Sequence, residues 1–128
     1  MPRFAANLSM MFNEVPFLDR FALAAKAGFK GVEFLFPYDH PAAEIAARLK
    51  DNGLQQVLFN APAGDFGKGE RGMAAIPGKQ AAFRDSIKLA LEYATTLACP
   101  RLHIMAGLKP EGVAHDTLTA VYGANLAY

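Results

Sequence analysis

Three junctions along the chain share one design: "AGFKGVEFLF" from Ala27, "NGLQQVLFNA" from Asn52 and "LACPRLHIMA" from Leu97. In each, a helix end gives way to an apolar residue, two spacers and a strand. The helices before them carry matching signals. Pro16 opens the first, Phe17, Phe21 and Ala25 form its apolar stripe, and Gly28 stops it. Pro41, Ile45, Leu49 and Gly53 repeat the scheme, and the third helix carries Phe83, Ile87, Leu91 or Ala90, and Ala94 before Pro100. A first strand, "RFAANLS", precedes them all. Strands alternating with helices of this length imply βαβ units, a parallel sheet and right-handed crossovers.

A fourth helix is expected from about Asp116, with Leu118, Val121, Tyr122 and Leu126 in helical register. No glycine, proline or polar tail marks its end at Tyr128, so the reading is one partial domain over 1–128, truncated within that helix. A (β/α)8 barrel typically needs about 250 residues, and four units in 128 residues fit the N-terminal half of one. A small doubly wound α/β sheet is the alternative, but it more naturally finishes with five strands.

Composition narrows the partners. Thirteen basic and twelve acidic side chains give a formal charge of +1. Neither sign gathers into a block, which argues against nucleic acid or an anionic membrane and for a small-molecule or protein partner. No stretch reaches the roughly 18 apolar residues of a membrane span. The start lacks the apolar run of a signal peptide, and Cys99, the single cysteine, has no partner for an internal disulfide. The expected compartment is the cytoplasm.

Alternate strand residues face opposite sides. One parity is apolar: Phe4, Ala6 and Leu8, then Val32, Phe34 and Phe36, then Val57 and Phe59, then Leu102 and Ile104. That face belongs under the helices. The other parity collects Asn7, Ser9, Glu33, Asn60 and His103, and polar groups near strand C-termini are where a (β/α)8 barrel builds its sites. Asn7, Glu33, Asn60 and His103 are therefore the strand-borne candidates, with Glu33 and His103 expected in one enclosed cavity. The structural alternatives are a hydrogen bond or ion pair between Glu33 and His103, and asparagines that tie strand ends to loop backbone. Met10, Met11 and Met105 read as packing, and His40 and His115 as solvated.

After the third strand, the chain spends about twenty residues on glycine, charge and proline before a helix begins, longer than most loops in compact domains. Within it "GKGERG", Gly67 to Gly72, matches a GxGxxG string, but no strand directly precedes it and no helix opens at its end, so the match reads as accidental and argues for no cofactor cradle. Its place after a strand C-terminus suits a lid in which Glu70 and Arg71 meet an anionic ligand. The alternative is a solvated loop with local ion pairs.

"RFAANLSMMF", "GFKGVEFLFPYD", "LFNAPAGDFGKGERGMAAIPGK" and "LHIMAG" together resemble the N-terminal half of the hydroxypyruvate isomerase family, with its 2-oxo-tetronate isomerase branch, among the xylose-isomerase-like barrels. The resemblance implies a carbonyl shift between adjacent carbons of a small anionic hydroxy-oxo acid, through an enediolate. Such chemistry needs a base and an acid facing the substrate, and a divalent ion, magnesium or manganese, often polarises the two oxygens. The resemblance places the two acid/base glutamates and the metal ligands beyond Tyr128. This chain is left with the pocket wall and lid: Asn7, Glu33, Asn60, Glu70, Arg71 and His103, with Arg71 as the fork for the substrate carboxylate. It is then inactive alone. The alternative from another class is a non-catalytic half-barrel that binds a small molecule, its open sheet edges closed by a second copy.

Overall fold

A computed structural model describes residues 1–128. The elements are β1 (Ala5–Asn7), a 3-10 turn (Phe17–Asp19), α1 (Arg20–Lys26), β2 (Gly31–Glu33), α2 (Ala42–Asp51), β3 (Gln55–Asn60), a second 3-10 turn (Phe66–Lys68), α3 (Gln80–Thr96), β4 (Leu102–His103) and α4 (His115–Leu126). The strands form one sheet in the order β1-β2-β3-β4, and β2 pairs in parallel with both β1 and β3. Four strands alternating with helices are what the repeated junctions imply.

Those junctions share one hydrogen-bond motif. After α2, Gly53 takes φ +61°, its N–H donates to the Lys50 carbonyl at 3.2 Å, and the Leu54 N–H donates to the Leu49 carbonyl at 2.9 Å. After α1, Gly28 at φ +94° and Phe29 make the same two bonds to Ala25 and Ala24. Each is a Schellman cap, which satisfies the last carbonyls and turns the chain toward the next strand. After α3 the position falls to Ala98, at φ +48°, with Ala98 and Cys99 donating to Thr95 and Ala94. A β-carbon in this left-handed conformation costs roughly 1–2 kcal/mol.

The chain divides into two compact units, Met1–Phe59 with Glu92–Leu102, and Asn60–Leu91 with His103–Tyr128. The first has a continuous apolar core in which Ala6, Leu8, Phe21, Ala24, Val32, Phe34, Ile45, Leu49 and Phe59 are buried. The second has a smaller one of Met73, Ala74 and Phe83, with Ile87, Ile104 and Tyr122 against it.

Strict alternation fails in β3. Val32 pairs with Gln56 but Glu33 pairs with Leu58, so Val57 is an extra, bulged residue. Gln56, only 1% exposed, takes the core position expected for Val57, and its Nε2 donates to the Leu58 carbonyl at 2.8 Å. A β-carbon on Gly31 would lie 3.1 Å from Val57 Cγ1, so Val57 points to the Gly31 side. Phe4, placed with the buried parity by sequence, lies ahead of β1 and is 73% exposed.

The choice left open in the α3 stripe falls to Ala90, and three further expectations are corrected. Ala90 is buried in α3 and Leu91 exposed. The one buried residue of α4 is Asn125, whose Nδ2 donates to the Ala74 carbonyl at 2.8 Å, whereas Leu126 is exposed. Met10 and Met11 are exposed rather than packed. His40 is half-buried, stacked on Phe17 with centroids 5.1 Å apart, and its carbonyl accepts from the Tyr93 hydroxyl at 2.8 Å. Burial and the neighbouring Tyr93 push the Tyr38 hydroxyl well above the ordinary phenol range.

Candidate active site

Each strand-borne candidate is the last residue of its strand: Asn7 of β1, Glu33 of β2, Asn60 of β3 and His103 of β4. This is the position from which a parallel α/β architecture presents side chains to a ligand.

In the first unit, Asn7 and Glu33 are directly paired across β1 and β2, and Asn7 Nδ2 donates to Glu33 Oε1 at 3.1 Å. The other end of the amide, Oδ1, accepts the Ser9 N–H at 3.0 Å, a short local turn that fixes its orientation. Ser9 Oγ in turn accepts the Leu35 N–H at 2.9 Å. Asn7 thus braces a loop, as its structural alternative proposed, and also holds the Glu33 carboxylate. A residue that sequence reasoning missed completes this corner: Arg20, in the first turn of α1, donates from Nη1 to the Leu8 carbonyl at 2.7 Å and from Nε to the Val15 carbonyl at 3.0 Å. Its only signal in the sequence is a charge among the apolar residues of a short helix.

In the second unit, the Ala61 N–H donates to the His103 carbonyl at 3.0 Å. The side chains follow. His103 Nδ1 lies 3.1 Å from Asn60 Oδ1, and Asn60 Nδ2 donates to the Met105 thioether at 3.9 Å. Asn60 is 7% exposed, whereas His103 reaches solvent. The side-chain partner of His103 is Asn60, and that of Glu33 is Asn7.

The long loop is less irregular than its composition suggests. Residues 72–75 are buried: Gly72 bridges to Ala106, its N–H donates to the Ala63 carbonyl at 2.9 Å, and the Ala75 N–H donates to the Ala106 carbonyl at 2.8 Å. At Gly72 φ is +117° and a β-carbon would sit 2.1 Å from the Met105 carbonyl oxygen, so only glycine fits. Exposed chain is confined to Pro77–Gly78 and to Gly64–Lys68, where the 3-10 turn is capped by Asp65 Oδ1 accepting the Lys68 N–H at 3.1 Å.

Glu70 and Arg71 brace that segment from within. Glu70 Oε1 pairs with Lys79 Nζ, and Oε2 accepts the Asp65 N–H at 2.6 Å. The Lys79 hydrogen bond, then the Asp65 amide, hold the Glu70 carboxyl below the usual carboxylate range. Arg71 lies with its guanidinium carbon 3.9 Å from the Phe66 ring centroid, and Nη1 donates to the Phe66 and Glu70 carbonyls at 3.1 and 2.8 Å. A cavity of about 250 Å³ opens beside Lys68, Glu70, Arg71 and Lys79, where three cations surround one carboxylate. A larger cavity, about 600 Å³, lies among Phe4, Lys30, Gly31 and Gln55 at the strand N-termini, the end this architecture reserves for stability rather than chemistry.

No group of three or more His, Cys, Asp or Glu side chains converges, so these residues do not form a metal cage. No helix is long and apolar enough to cross a membrane.

Residues 21–127 match the family described as the xylose isomerase-like TIM barrel. Over all 128 residues the chain is 59% identical to "2-oxo-tetronate isomerase" of Haemophilus influenzae and 45% identical to "Hydroxypyruvate isomerase" of Escherichia coli, covering 50% of each. Among solved structures, "AP endonuclease, family 2" from Brucella melitensis superposes with TM-score 0.95 at 58% identity, covering 98% of this chain and 48% of that one. The chain spans about half the length of the curated relatives it matches.

Proposed function

Because the chain belongs to the xylose isomerase-like TIM barrel family, we propose that it forms the N-terminal half of an isomerase that shifts a carbonyl between adjacent carbons of a small hydroxy-oxo acid. The observation that carries the reading is identity of 45–59% along the whole chain to proteins named as such isomerases. The polar groups suit the substrate class. Arg71 spends both of its hydrogen bonds through Nη1, which leaves the Nη2 edge for one carboxylate oxygen, and Lys68 and Lys79 add positive charge beside it. Glu33, oriented by Asn7, accepts from a substrate hydroxyl. In the second unit, Asn60 and His103 at the ends of β3 and β4 offer polar groups of their own.

Neither proton transfer at carbon is assigned to these residues. The acid/base pair and the ligands of a divalent ion, which would polarise the two substrate oxygens, belong to the C-terminal half. Between substrates, the higher identity to the 2-oxo-tetronate isomerases, 59% against 45%, favours a four-carbon acid over hydroxypyruvate. The compartment in this reading is the cytoplasm, where a free thiol such as Cys99 persists.

The test is turnover by the full-length gene product carrying this sequence, with 2-oxo-tetronate and hydroxypyruvate in parallel. The expected result is isomerisation of both with higher kcat/KM for the four-carbon acid, and none by residues 1–128 alone. Arg71→Lys should raise KM about tenfold, the cost of losing one charge-assisted bond. Absence of isomerisation together with cleavage of DNA at abasic sites would replace this reading with the activity named for the Brucella protein.

A further inference from the structure

The pair at the ends of β3 and β4 has a chemical polarity that its geometry determines. An asparagine amide presents one acceptor and two donors, and a thioether sulfur accepts but cannot donate. Met105 Sδ, 3.9 Å from Asn60, therefore selects the amide rotamer that turns Nδ2 toward sulfur and Oδ1 toward His103. Facing an acceptor at 3.1 Å, His103 Nδ1 must carry the proton. In a neutral imidazole the other nitrogen then holds a lone pair. Nε2 has no protein partner, and the ring reaches solvent.

We infer that Asn60 is a positioning residue that locks His103 in its Nδ1–H tautomer, so that Nε2 serves as the acceptor for a substrate hydroxyl. The inference rests on the isomerase reading for its ligand, a hydroxy-oxo acid, but the tautomer stands on geometry alone. The selectivity that follows is for the hydroxyl. A free histidine can donate or accept from Nε2, whereas one held at Nδ1 only accepts while neutral, so it distinguishes a hydroxylated carbon from a carbonyl at the same place. The three members divide the work. Met105 orients the amide, the amide orients the ring, and the ring reads the substrate.

Nitrogen NMR of the protein labelled with 15N-histidine tests this directly. The expected spectrum has a pyrrole-type Nδ1 and a pyridine-type Nε2 for His103 at neutral pH. Asn60→Asp, which keeps an acceptor toward Nδ1, should keep Nδ1 protonated, and Asn60→Leu should move the proton toward Nε2. Titration with hydroxypyruvate should shift the Nε2 resonance, and pyruvate, which lacks the hydroxyl, should not. In the full-length enzyme, His103→Ala should raise KM about three- to tenfold with a smaller change in kcat, the worth of one hydrogen bond, and His103→Gln should recover part of it. An unprotonated Nδ1 in the unsubstituted protein, or equal responses to the two acids, would overturn the inference. Loss of isomerase turnover with the tautomer and the selective response intact would instead sink the proposed reaction and leave the assignment of His103 standing.

Discussion

The two units hold their shape by different means. In the first, aromatic rings interlock, Phe17 with Phe21 at 5.4 Å and with Phe34 at 5.3 Å, then Phe34 with Phe59 at 6.0 Å. The two contacts of Phe17 are edge-on, that of Phe34 with Phe59 is tilted at 40°, and all add ring attraction to a large buried area. The loop of the second unit has little such area. Between Gly64 and Arg71 it depends on a capping aspartate, an ion pair and arginine bonds to carbonyls, each weak where water competes for it. One region is stable because its side chains have left water, and the other is shaped by directional bonds that water or a ligand can replace. Segments that must admit a substrate come from the second kind.

Several substitutions would break or sharpen that contrast. Phe21→Ala removes a fully buried ring from the first core and should cost about 3–5 kcal/mol by denaturant titration. Gly72→Ala acts at the junction between the braced loop and its buried foot. It forces a β-carbon into a left-handed backbone against the Met105 carbonyl and should cost about 2–3 kcal/mol, with faster amide exchange at residues 72–75. Ala98→Gly should raise stability by about 1 kcal/mol, because it gives the third Schellman cap the residue that the first two already have. The smallest global effect belongs to Glu70. Its carboxyl is held below the ordinary range in the folded protein, so the brace is complete above that range and is lost as pH falls through the depressed value. Limited proteolysis should then cut within Gly64–Arg71 at acid pH while Tm changes little, and Glu70→Gln should produce the same cut at neutral pH.

Much of the scaffold could be read from the chain because its signals are local. The residue pairs Gly28–Phe29 and Gly53–Leu54 announce their caps, and Ala98–Cys99 could be aligned with them even though alanine disguises the conformation. The four strand-end candidates were also visible, since the polar parity of β1, β2 and β4 survives intact. Val57 is misplaced by its sequence because a bulge has no signature in alternation: Gln56 takes the buried face instead, for a reason that lies in the neighbouring strand. Asn125 was missed because its partner is a backbone carbonyl 51 positions away, and α4 has too weak an apolar stripe to show which face is covered. The lid and the solvated loop were opposed as alternatives, yet Glu70 shows that internal bracing and an accessible cationic cavity coexist in one segment.

The extra residue at Val57 works as a phase shifter. It shifts the phase of the sequence alternation but not that of the ladder: without it Gln56 and Leu58 would follow one another opposite Val32 and Glu33, and Phe59 and Asn60 would keep the faces they have. The strand can therefore give up one residue at Val57 without turning Asn60 away, whereas a deletion between Leu58 and Asn60 would reverse it.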